Sequence, residues 1–391
     1  MERVLRTLSG LHQMERVLRT LTTPIQAGRL TMSIRREELP LENCVACATR
    51  QNPRRLYLFV SKVLGKHWPV RPCVMRDVQR RLADKIATLP GPMLVIGMAE
   101  TATALGRGVA EEAASRSGRD DILYSQTTRY RLSRPLAFGF DECHSHAPDH
   151  AVYLPDPVLQ PLFRAARTLV LVDDEISTGR TLVELARAYF QCNPQIECVA
   201  LACITNWLSE ARRQELIEAL QRPVLFPALI EGDFTFDPDP EFPPPDLPTV
   251  VADVDRGHDE VVTDPARIGL IAGRWTMPRL PDLPRDRSLA IVGTGEYAYT
   301  PFRIALALEE RGYDVRFQST TRSPILVGDA ITSRREFPDN YGDGIPNYLY
   351  NLDSQRLPII CYEHPAMPAA HSLPDVIGGL ALVTEESCRA S

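Results

Sequence analysis

The most restrictive feature of this sequence is an apolar run that ends abruptly on two acids. Residues 168–185 read TLVLVDDEISTGRTLVEL, where mostly β-branched or apolar residues lead directly into Asp173 and Asp174. The apolar run predicts a buried strand, and the pattern after it predicts a helix. In an open parallel sheet, ligands bind beyond the carboxyl ends of the strands. We therefore expect both acids to face a ligand.

Small and hydroxyl-bearing residues occupy the turn between this strand and the helix, namely Ser177, Thr178, Gly179 and Thr181. The unpaired N–H groups and the dipole at a helix start attract an anion, above all a phosphate. The two acids would repel a phosphate, so we expect them to face sugar hydroxyls or a divalent metal. These features together predict a site for a phosphorylated sugar. An ordinary strand end with Ser177 or Thr178 as helix N-cap is the structural alternative.

The rest of the chain predicts an α/β protein. Short apolar runs alternate with amphipathic helices, which is typical of a doubly wound parallel sheet. A shift to proline and aromatic residues at 222–248 separates this region from a second, smaller α/β domain. We predict four segments: an N-terminal extension (1–42), a first domain (43–225), a proline-rich connecting segment (226–285) and the second α/β domain (286–391).

Charge, cysteine spacing and the lengths of the apolar runs exclude several classes of protein. A net charge of −6 over 391 residues argues against a nucleic-acid coat or a membrane-surface binder. The nine cysteines have no repeating spacing, which is typical of a reduced, cytoplasmic protein. We find no signal-peptide core and no run near the roughly 18 apolar residues of a membrane span. The octet MERVLRTL occurs at 1–8 and again at 14–21, so Met14 is an alternative start.

The residues at 169–181, LVLVDDEISTGRT, resemble the binding loop for 5-phosphoribosyl-1-pyrophosphate (PRPP) in type I phosphoribosyltransferases. The resemblance implies that fold, and Mg²⁺-dependent transfer of ribose 5-phosphate from PRPP to a nucleobase-like acceptor with release of pyrophosphate. It also implies that Asp173 and Asp174 contact the ribose hydroxyls and hold Mg²⁺ through PRPP. The residues that would bind PRPP are Asp173, Asp174, Glu175, Ser177, Thr178, Gly179, Arg180 and Thr181.

The reaction needs cationic groups near the leaving pyrophosphate. The turn after the strand at 93–98 resembles the family's pyrophosphate loop, with Gly97, Ala99, Glu100 and Thr101, although an ordinary strand–helix turn is the alternative. Lysine occurs only at 62, 66 and 85, which suggests that a compact ammonium is needed at Lys62 or Lys66; a solvated surface position is the alternative. Arg129 ends a neighbouring strand and suits a phosphate or an acidic acceptor, although an ordinary surface position is the alternative. The predicted catalytic residues are Asp173, Asp174, Lys62, Lys66 and Arg129.

An irregular segment follows that strand and contains Glu142, His144 and His146. Its spacing does not fit an established zinc site. Type I phosphoribosyltransferases carry a mobile loop here that closes over the substrate, so the resemblance implies that role for these three residues.

More closely, the set of motifs over about 43–225 resembles an orotate phosphoribosyltransferase-like bacterial subfamily found beside tellurium-resistance and stress genes. The C-terminal domain of that subfamily is named for a Thr-Arg-Ser-Pro motif, which is present here at 321–324. Members have Asn-Pro-Lys-Arg where this chain has Asn-Pro-Arg-Arg at 52–55. The resemblance does not supply the acceptor.

Both domains show the order strand, Gly, Glu, helix, strand, Thr-Thr-Arg, from Glu100 to Arg129 and from Glu296 to Arg322. We hypothesise that the second domain is a diverged copy that has lost the ribose-phosphate loop; chance similarity between common strand–helix turns is the alternative. A phosphate or nucleotide pocket is predicted there from Gly293, Gly295, Glu296, Thr321, Arg322 and Ser323.

Two other functions are open from the sequence. One is a non-catalytic regulator that senses PRPP or a nucleotide, and the other is a pathway scaffold that uses the proline-rich segment 236–248. The expected partners are PRPP and a small nucleobase-like acceptor, with no membrane and no nucleic acid. A homodimer is left open.

Overall fold

The structure is a computed structural model that describes residues 17–140, 150–243, 245, 262–280 and 282–384. Its strands, in chain order, are β1 (Arg19–Ile25), β2 (Gly28–Glu37), β3 (Val45–Thr49), β4 (Tyr57–Ser61), β5 (Met93–Gly97), β6 (Ile122–Gln126), β7 (Leu136–Phe140), β8 (His150–Tyr153), β9 (Thr168–Ile176), β10 (Cys198–Asn206), β11 (Val224–Leu225), β12 (Ala228–Pro238), β13 (Leu270–Ile271), β14 (Leu289–Gly293), β15 (Val315–Ser319), β16 (Arg334–Pro338), β17 (Pro346–Tyr350), β18 (Leu357–Tyr362) and β19 (Leu380–Val383).

The helices, in chain order, are α1 (Leu41–Cys44), α2 (Pro72–Ile86), α3 (Thr103–Ser117), α4 (Gln160–Ala165), α5 (Arg180–Cys192), α6 (Glu210–Leu220), α7 (Tyr299–Glu310), α8 (Met367–Ala370) and α9 (Leu373–Ile377). A 3₁₀ turn spans Pro265–Arg267. Within the residues that the structure describes, no helix has the length and apolar character needed to cross a bilayer.

The larger sheet has the strand order β1-β2-β12-β10-β9-β5-β6-β13, and β11 pairs with β10. Its centre, from β12 to β6, is parallel. Strands β5, β6 and β10 are buried along their whole length. Parallel sheets are covered on both faces, which explains why these strands are continuous apolar runs in the sequence. The predicted doubly wound α/β fold is confirmed.

Four strands outside the predicted range 43–225 belong to this sheet: β1, β2, β12 and β13. Strands β2 and β12 pair with each other in antiparallel fashion, and β12 also pairs with β10. Leu30, Met32 and Ile34 are buried, while the residues between them are at least partly exposed. This two-residue alternation is typical of a half-buried strand, so a signal for β2 was present in the sequence.

The second domain contains a smaller sheet, parallel throughout, with the order β15-β14-β18-β19. Helix α7 packs on β14 and β15, and also on α2 and α3 of the first domain. Main-chain hydrogen bonds join the domains as well: Val70 and Phe317 exchange two, at 2.9 and 2.8 Å between nitrogen and oxygen. The smaller α/β domain is therefore confirmed, and it packs directly against the first.

A buried arginine from the connecting segment holds acids of the second domain. Arg267 is 0% exposed, and its Nε lies 3.0 Å from Glu296 Oε2. Its Nη1 lies 2.8 Å from Glu363 Oε2. Removing one partner of a buried ion pair leaves an uncompensated charge in a poorly solvated place, which is strongly destabilising.

We expect Arg267→Met to lower the free energy of unfolding by about 3–5 kcal/mol, because Glu296 and Glu363 would then share no buried cation. Urea unfolding followed by tryptophan fluorescence measures the change. The control is Arg167→Met, which removes the ion pair between Arg167 and Glu197. Both of these side chains are 50% exposed. Because water screens exposed pairs, that variant should unfold nearly as the wild type does. Equal transitions for the two variants would contradict the prediction.

Candidate active site

A cavity of about 430 Å³ lies where the two domains meet. The first domain contributes the loops that follow β5 and β9, the start of α5 and part of the hairpin β3–β4. The second domain contributes the Thr-Arg-Ser-Pro motif. The cavity is lined by residues 98–101, 173–182 and 321–324, together with Arg50, Arg55, Leu58, His67 and Arg129.

The turn between β9 and α5 has the geometry of an anion site. Gly179 has a φ of 67°, in the left-handed region, and a Cβ there would lie 2.6 Å from Leu216 Cδ1. Arg212 Nε donates to the Thr178 carbonyl at 2.8 Å and so braces the turn. Helix α5 begins at Arg180, which places its unpaired N–H groups at the cavity. An anion bound here would be stabilised by those groups and by the helix dipole.

Asp173 and Asp174 line the cavity, and none of the described cationic side chains forms an ion pair with either. Asp174 Oδ1 accepts a hydrogen bond from Thr101 Oγ1 at 3.0 Å, and Asp173 Oδ1 accepts one from the Asp174 N–H at 2.9 Å. Burial, reinforced by the neighbouring Asp174 carboxylate, raises the pKa of Asp173 well above its ordinary value. Such a pair favours a cation or several hydrogen-bond donors.

Glu175 differs from its two neighbours because it has a cation. Arg55 Nη2 lies 2.5 Å from Glu175 Oε1. Burial raises the pKa of Glu175, although Arg55 opposes that effect. This carboxylate therefore connects the strand end to the segment between β3 and β4, while Asp173 and Asp174 are left for a ligand.

The predicted pyrophosphate loop follows β5 at the cavity wall. Gly97 is required there, because a Cβ would lie 2.6 Å from Tyr124 Oη. The Ala99 N–H donates to Thr127 Oγ1 at 2.8 Å, which fixes the turn. Ala99, Glu100 and Thr101 all line the cavity. The structure thus brings this loop and the acids of β9 together.

The structure does not bring the two predicted catalytic lysines into the cavity. Lys62 Nζ donates to the Glu42 carbonyl at 2.7 Å. Lys66 is 2% exposed, and its Nζ lies 2.7 Å from Glu100 Oε1 and 2.9 Å from the Gly295 carbonyl. Burial opposes the charge of Glu100, but Lys66 still holds the pKa of Glu100 below its ordinary value. Lys66 therefore supports the loop and contacts the second domain.

Arg129 lines the cavity as predicted, while its backbone contacts the second domain. The Arg129 N–H donates to Glu296 Oε1 at 3.0 Å, and Thr128 Oγ1 donates to Glu296 Oε2 at 2.7 Å.

The six residues of the predicted second-domain pocket are divided by the structure. Thr321, Arg322 and Ser323 line the cavity shared with the first domain. The other three, Gly293, Gly295 and Glu296, are buried and do not line it. The motif of the second domain thus completes the first domain's cavity, and the six residues do not enclose a pocket of their own.

Three polar lining residues were not predicted as site residues: Arg50, Arg55 and His67. His67 is 4% exposed, and its Nε2 has no hydrogen-bond partner among the described residues. Burial, with a smaller effect of Lys66, lowers the pKa of His67 to about 3, so the imidazole is neutral near pH 7. The concentration of arginine in the stretch 50–55, RQNPRR, was the available signal for the first two.

The mobile-loop residues Glu142, His144 and His146 lie outside the described residues. Among the residues that are described, no group of three or more His, Cys, Asp or Glu side chains is arranged to hold a metal ion. A cation at Asp173 and Asp174 would therefore need further oxygen ligands from a bound molecule.

Solved structures with similar folds include phosphoribosyltransferases, though the overall similarity is low. An adenine phosphoribosyltransferase from Trypanosoma brucei, in complex with AMP, pyrophosphate and ribose-5-phosphate, is 13% identical with a TM-score of 0.32, over 48% of this chain and 77% of that one. An orotate phosphoribosyltransferase from Francisella tularensis is 13% identical with a TM-score of 0.28, over 44% and 72%. No curated protein matches the chain.

Family models match both domains. Residues 44–233 match a family described as phosphoribosyl transferase. Residues 274–375 match a domain described as the TRSP domain at the C terminus of that same family. The two matches, in the expected order, cover about three quarters of the chain. The chain therefore belongs to the phosphoribosyltransferase family that carries a C-terminal TRSP domain, and it is a phosphoribosyltransferase.

Proposed function

We propose that this phosphoribosyltransferase transfers ribose 5-phosphate from PRPP to a nucleobase-like acceptor, with Mg²⁺ as cofactor. One observation carries the proposal: two acids without a cation partner among the described residues and an open helix start lie next to each other in one cavity. Sugar hydroxyls suit the acids, and a phosphate suits the helix start. A sugar phosphate meets both requirements at once.

The donor is positioned by two loops. Residues 177–181 would bind the 5′-phosphate through their N–H and hydroxyl groups, and Asp173 and Asp174 would accept hydrogen bonds from the ribose hydroxyls. The loop at 98–101 faces the same cavity and would bind the diphosphate. Because both ends of PRPP are then held, the ribose is oriented before the acceptor reacts.

The residues present fit a Mg²⁺ ion shared with the substrate. Mg²⁺ is usually bound by one or two carboxylates together with substrate phosphates and water. Asp173 and Asp174 would hold it, and a cation there would oppose the burial and the Asp174 charge that raise the pKa of Asp173. When bound, the ion would screen the negative charge that develops on the pyrophosphate.

In the reaction, the bond between ribose C1 and the pyrophosphate oxygen breaks, and its electron pair leaves with pyrophosphate. A nitrogen of the acceptor forms the new bond to C1, and the acceptor releases its proton to solvent. Positive charge develops on the ribose ring, where Asp173 and Asp174 would stabilise it.

The acceptor would bind beside the segment between β3 and β4. Leu58 offers an apolar surface, and neutral His67 offers a ring nitrogen without a hydrogen-bond partner among the described residues. Buried polar atoms are normally paired, so a ligand that hydrogen-bonds to His67 Nε2 would be favoured. A flat, polar ring such as a nucleobase satisfies both features.

We expect Asp174→Asn to weaken binding of PRPP in Mg²⁺ by roughly 10- to 150-fold, because a charge-assisted contact worth about 1.5–3 kcal/mol is lost. Isothermal titration calorimetry with PRPP, in Mg²⁺ and in EDTA, measures the effect. Asp120→Asn is the matched control, because this exposed aspartate precedes β6 at the edge of the parallel sheet opposite the cavity. Unchanged affinity in Asp174→Asn would remove this acid from the donor site.

We expect Gly179→Ala to weaken binding of ribose 5-phosphate, because the new Cβ would displace Leu216 and distort the phosphate turn. Gly312→Ala is the control: Gly312 also has a left-handed φ, of 86°, but a Cβ added there would have no neighbouring atom within 4 Å. Both variants should lose about 1–2 kcal/mol of stability from backbone strain. Only Gly179→Ala should lose affinity, as measured by calorimetry; equal affinities would place the phosphate elsewhere.

A further inference from the structure

The second sheet repeats the central part of the first. The order β15-β14-β18-β19 matches β6-β5-β9-β10, and every strand pair in both sets is parallel. In both, the chain passes through the strands in the same sequence. Each set also has an antiparallel hairpin, β7–β8 or β16–β17, between its second and third strands along the chain.

The hydrogen bonds at the strand ends agree in detail. In the first domain, the Thr127 N–H donates to the Gly97 carbonyl at 3.0 Å, and Thr127 Oγ1 accepts from the Ala99 N–H at 2.8 Å. Tyr153 Oη, at the end of the hairpin, donates to the Tyr130 carbonyl at 3.1 Å.

The second domain makes the same three bonds with its own residues. The Thr320 N–H donates to the Gly293 carbonyl at 3.0 Å, and Thr320 Oγ1 accepts from the Gly295 N–H at 2.8 Å. Tyr350 Oη donates to the Ser323 carbonyl at 2.8 Å. Chance similarity of isolated strand–helix turns does not account for agreement in topology, register and side-chain hydrogen bonds together.

The two copies contact each other reciprocally. Glu100 Oε2 of the first accepts the Arg322 N–H of the second at 3.3 Å. Glu296 Oε1 of the second accepts the Arg129 N–H of the first at 3.0 Å. Contacts in which each partner uses the same surface are the mark of a two-fold interface between identical subunits. Here both halves of such an interface lie in one chain.

Among the described residues, the acid of the second copy that corresponds to the donor acids is already paired. Glu363 corresponds to Asp174 in the register of the two sheets. In each sheet, take the residue just before the glycine that ends β5 or β14, and find its partner on β9 or β18. The acid lies three residues after that partner. Arg267 Nη1 lies 2.8 Å from Glu363, Tyr341 Oη donates to it at 2.7 Å, and the Thr263 N–H donates at 2.8 Å. The connecting segment therefore occupies the place of a substrate.

The second copy instead contributes to the first copy's cavity. Arg322 lines it next to Glu100, in the loop that we assign to the diphosphate. The Arg322 guanidinium donates to Tyr130 Oη at 3.0 Å, and its Nη2 lies 4.0 Å from Asp343 Oδ2. A guanidinium so placed has further N–H groups available for phosphate oxygens. Lys62 and Lys66 do not reach the cavity, whereas Arg322 of the second copy lines it beside the loop at 98–101.

We propose that the second domain is a diverged copy of the first that acts as its built-in partner: it has lost its own substrate site and supplies Arg322 to bind the diphosphate of PRPP. The inference rests on the proposed function, because it assumes that PRPP is the donor. It assigns the Thr-Arg-Ser-Pro motif to the reaction of the first domain.

The test compares two ligands that differ in the diphosphate. Calorimetry with PRPP and with ribose 5-phosphate, both in Mg²⁺, is done on wild type, Arg322→Gln, Arg322→Lys and the control Arg335→Ala, an exposed arginine of the same domain. We expect one PRPP per chain in the wild type. Arg322→Gln should weaken the binding of PRPP by roughly 10- to 100-fold and leave the affinity for ribose 5-phosphate unchanged. Arg322→Lys should recover part of the affinity for PRPP.

The outcomes separate this inference from the function on which it rests. The role of Arg322 is overturned if wild type and Arg322→Gln bind PRPP equally well, or if Arg322→Gln loses affinity for both ligands to the same extent. In either case PRPP remains the donor. A stoichiometry of two PRPP molecules per chain would contradict the inference that the second copy has lost its substrate site. If Arg322→Gln does not fold, Arg322→Lys decides: weaker binding of PRPP with unchanged binding of ribose 5-phosphate supports the role of the guanidinium, and wild-type affinity for PRPP overturns it. If the wild type binds neither ligand, both the proposed function and this inference are overturned.

Discussion

The buried carboxylate of Glu296 is the interaction on which the arrangement of the two domains depends. It is 3% exposed and accepts hydrogen bonds from Thr128 and Arg129 of the first domain. Arg267, from the connecting segment, supplies the opposite charge. A buried charge is tolerated only when it is paired and hydrogen-bonded. Glu296 therefore requires both the first domain and the connecting segment in place, and that requirement brings the Thr-Arg-Ser-Pro motif to the cavity.

The same rule separates structural acids from functional ones. Glu100 and Glu175 are each paired with a cation, Lys66 and Arg55, and so hold loops in position. Asp173 and Asp174 lie in the same cavity without such a partner among the described residues. In the proposed function, a bound ligand supplies the partner that these two acids lack. Adjacent acids in one strand end thus have different roles because their partners differ.

Much of the donor site could be predicted because it is local in sequence. The strand, the two acids, Gly179 and the helix start are consecutive, so the geometry of one strand–turn–helix unit determines where they lie. The roles of Lys62 and Lys66 could not be predicted in this way. Whether a lysine reaches a cavity or an acid depends on residues far along the chain: Lys66 contacts Gly295, 229 positions away.

The sequence by itself determined the α/β class, the alternation of strands and helices and the loop that follows β9, because each is encoded in short apolar runs and in motifs of a few residues. It suggested the internal repeat but left chance similarity as the alternative. Only the tertiary structure decided that β2 and β12 extend the large sheet, that Arg50, Arg55 and His67 line the cavity, and that both domains share it. Strand pairing and domain docking depend on which surfaces, distant in sequence, are buried against each other and on which buried charges are paired. Those contacts join residues hundreds of positions apart, so no local pattern records them.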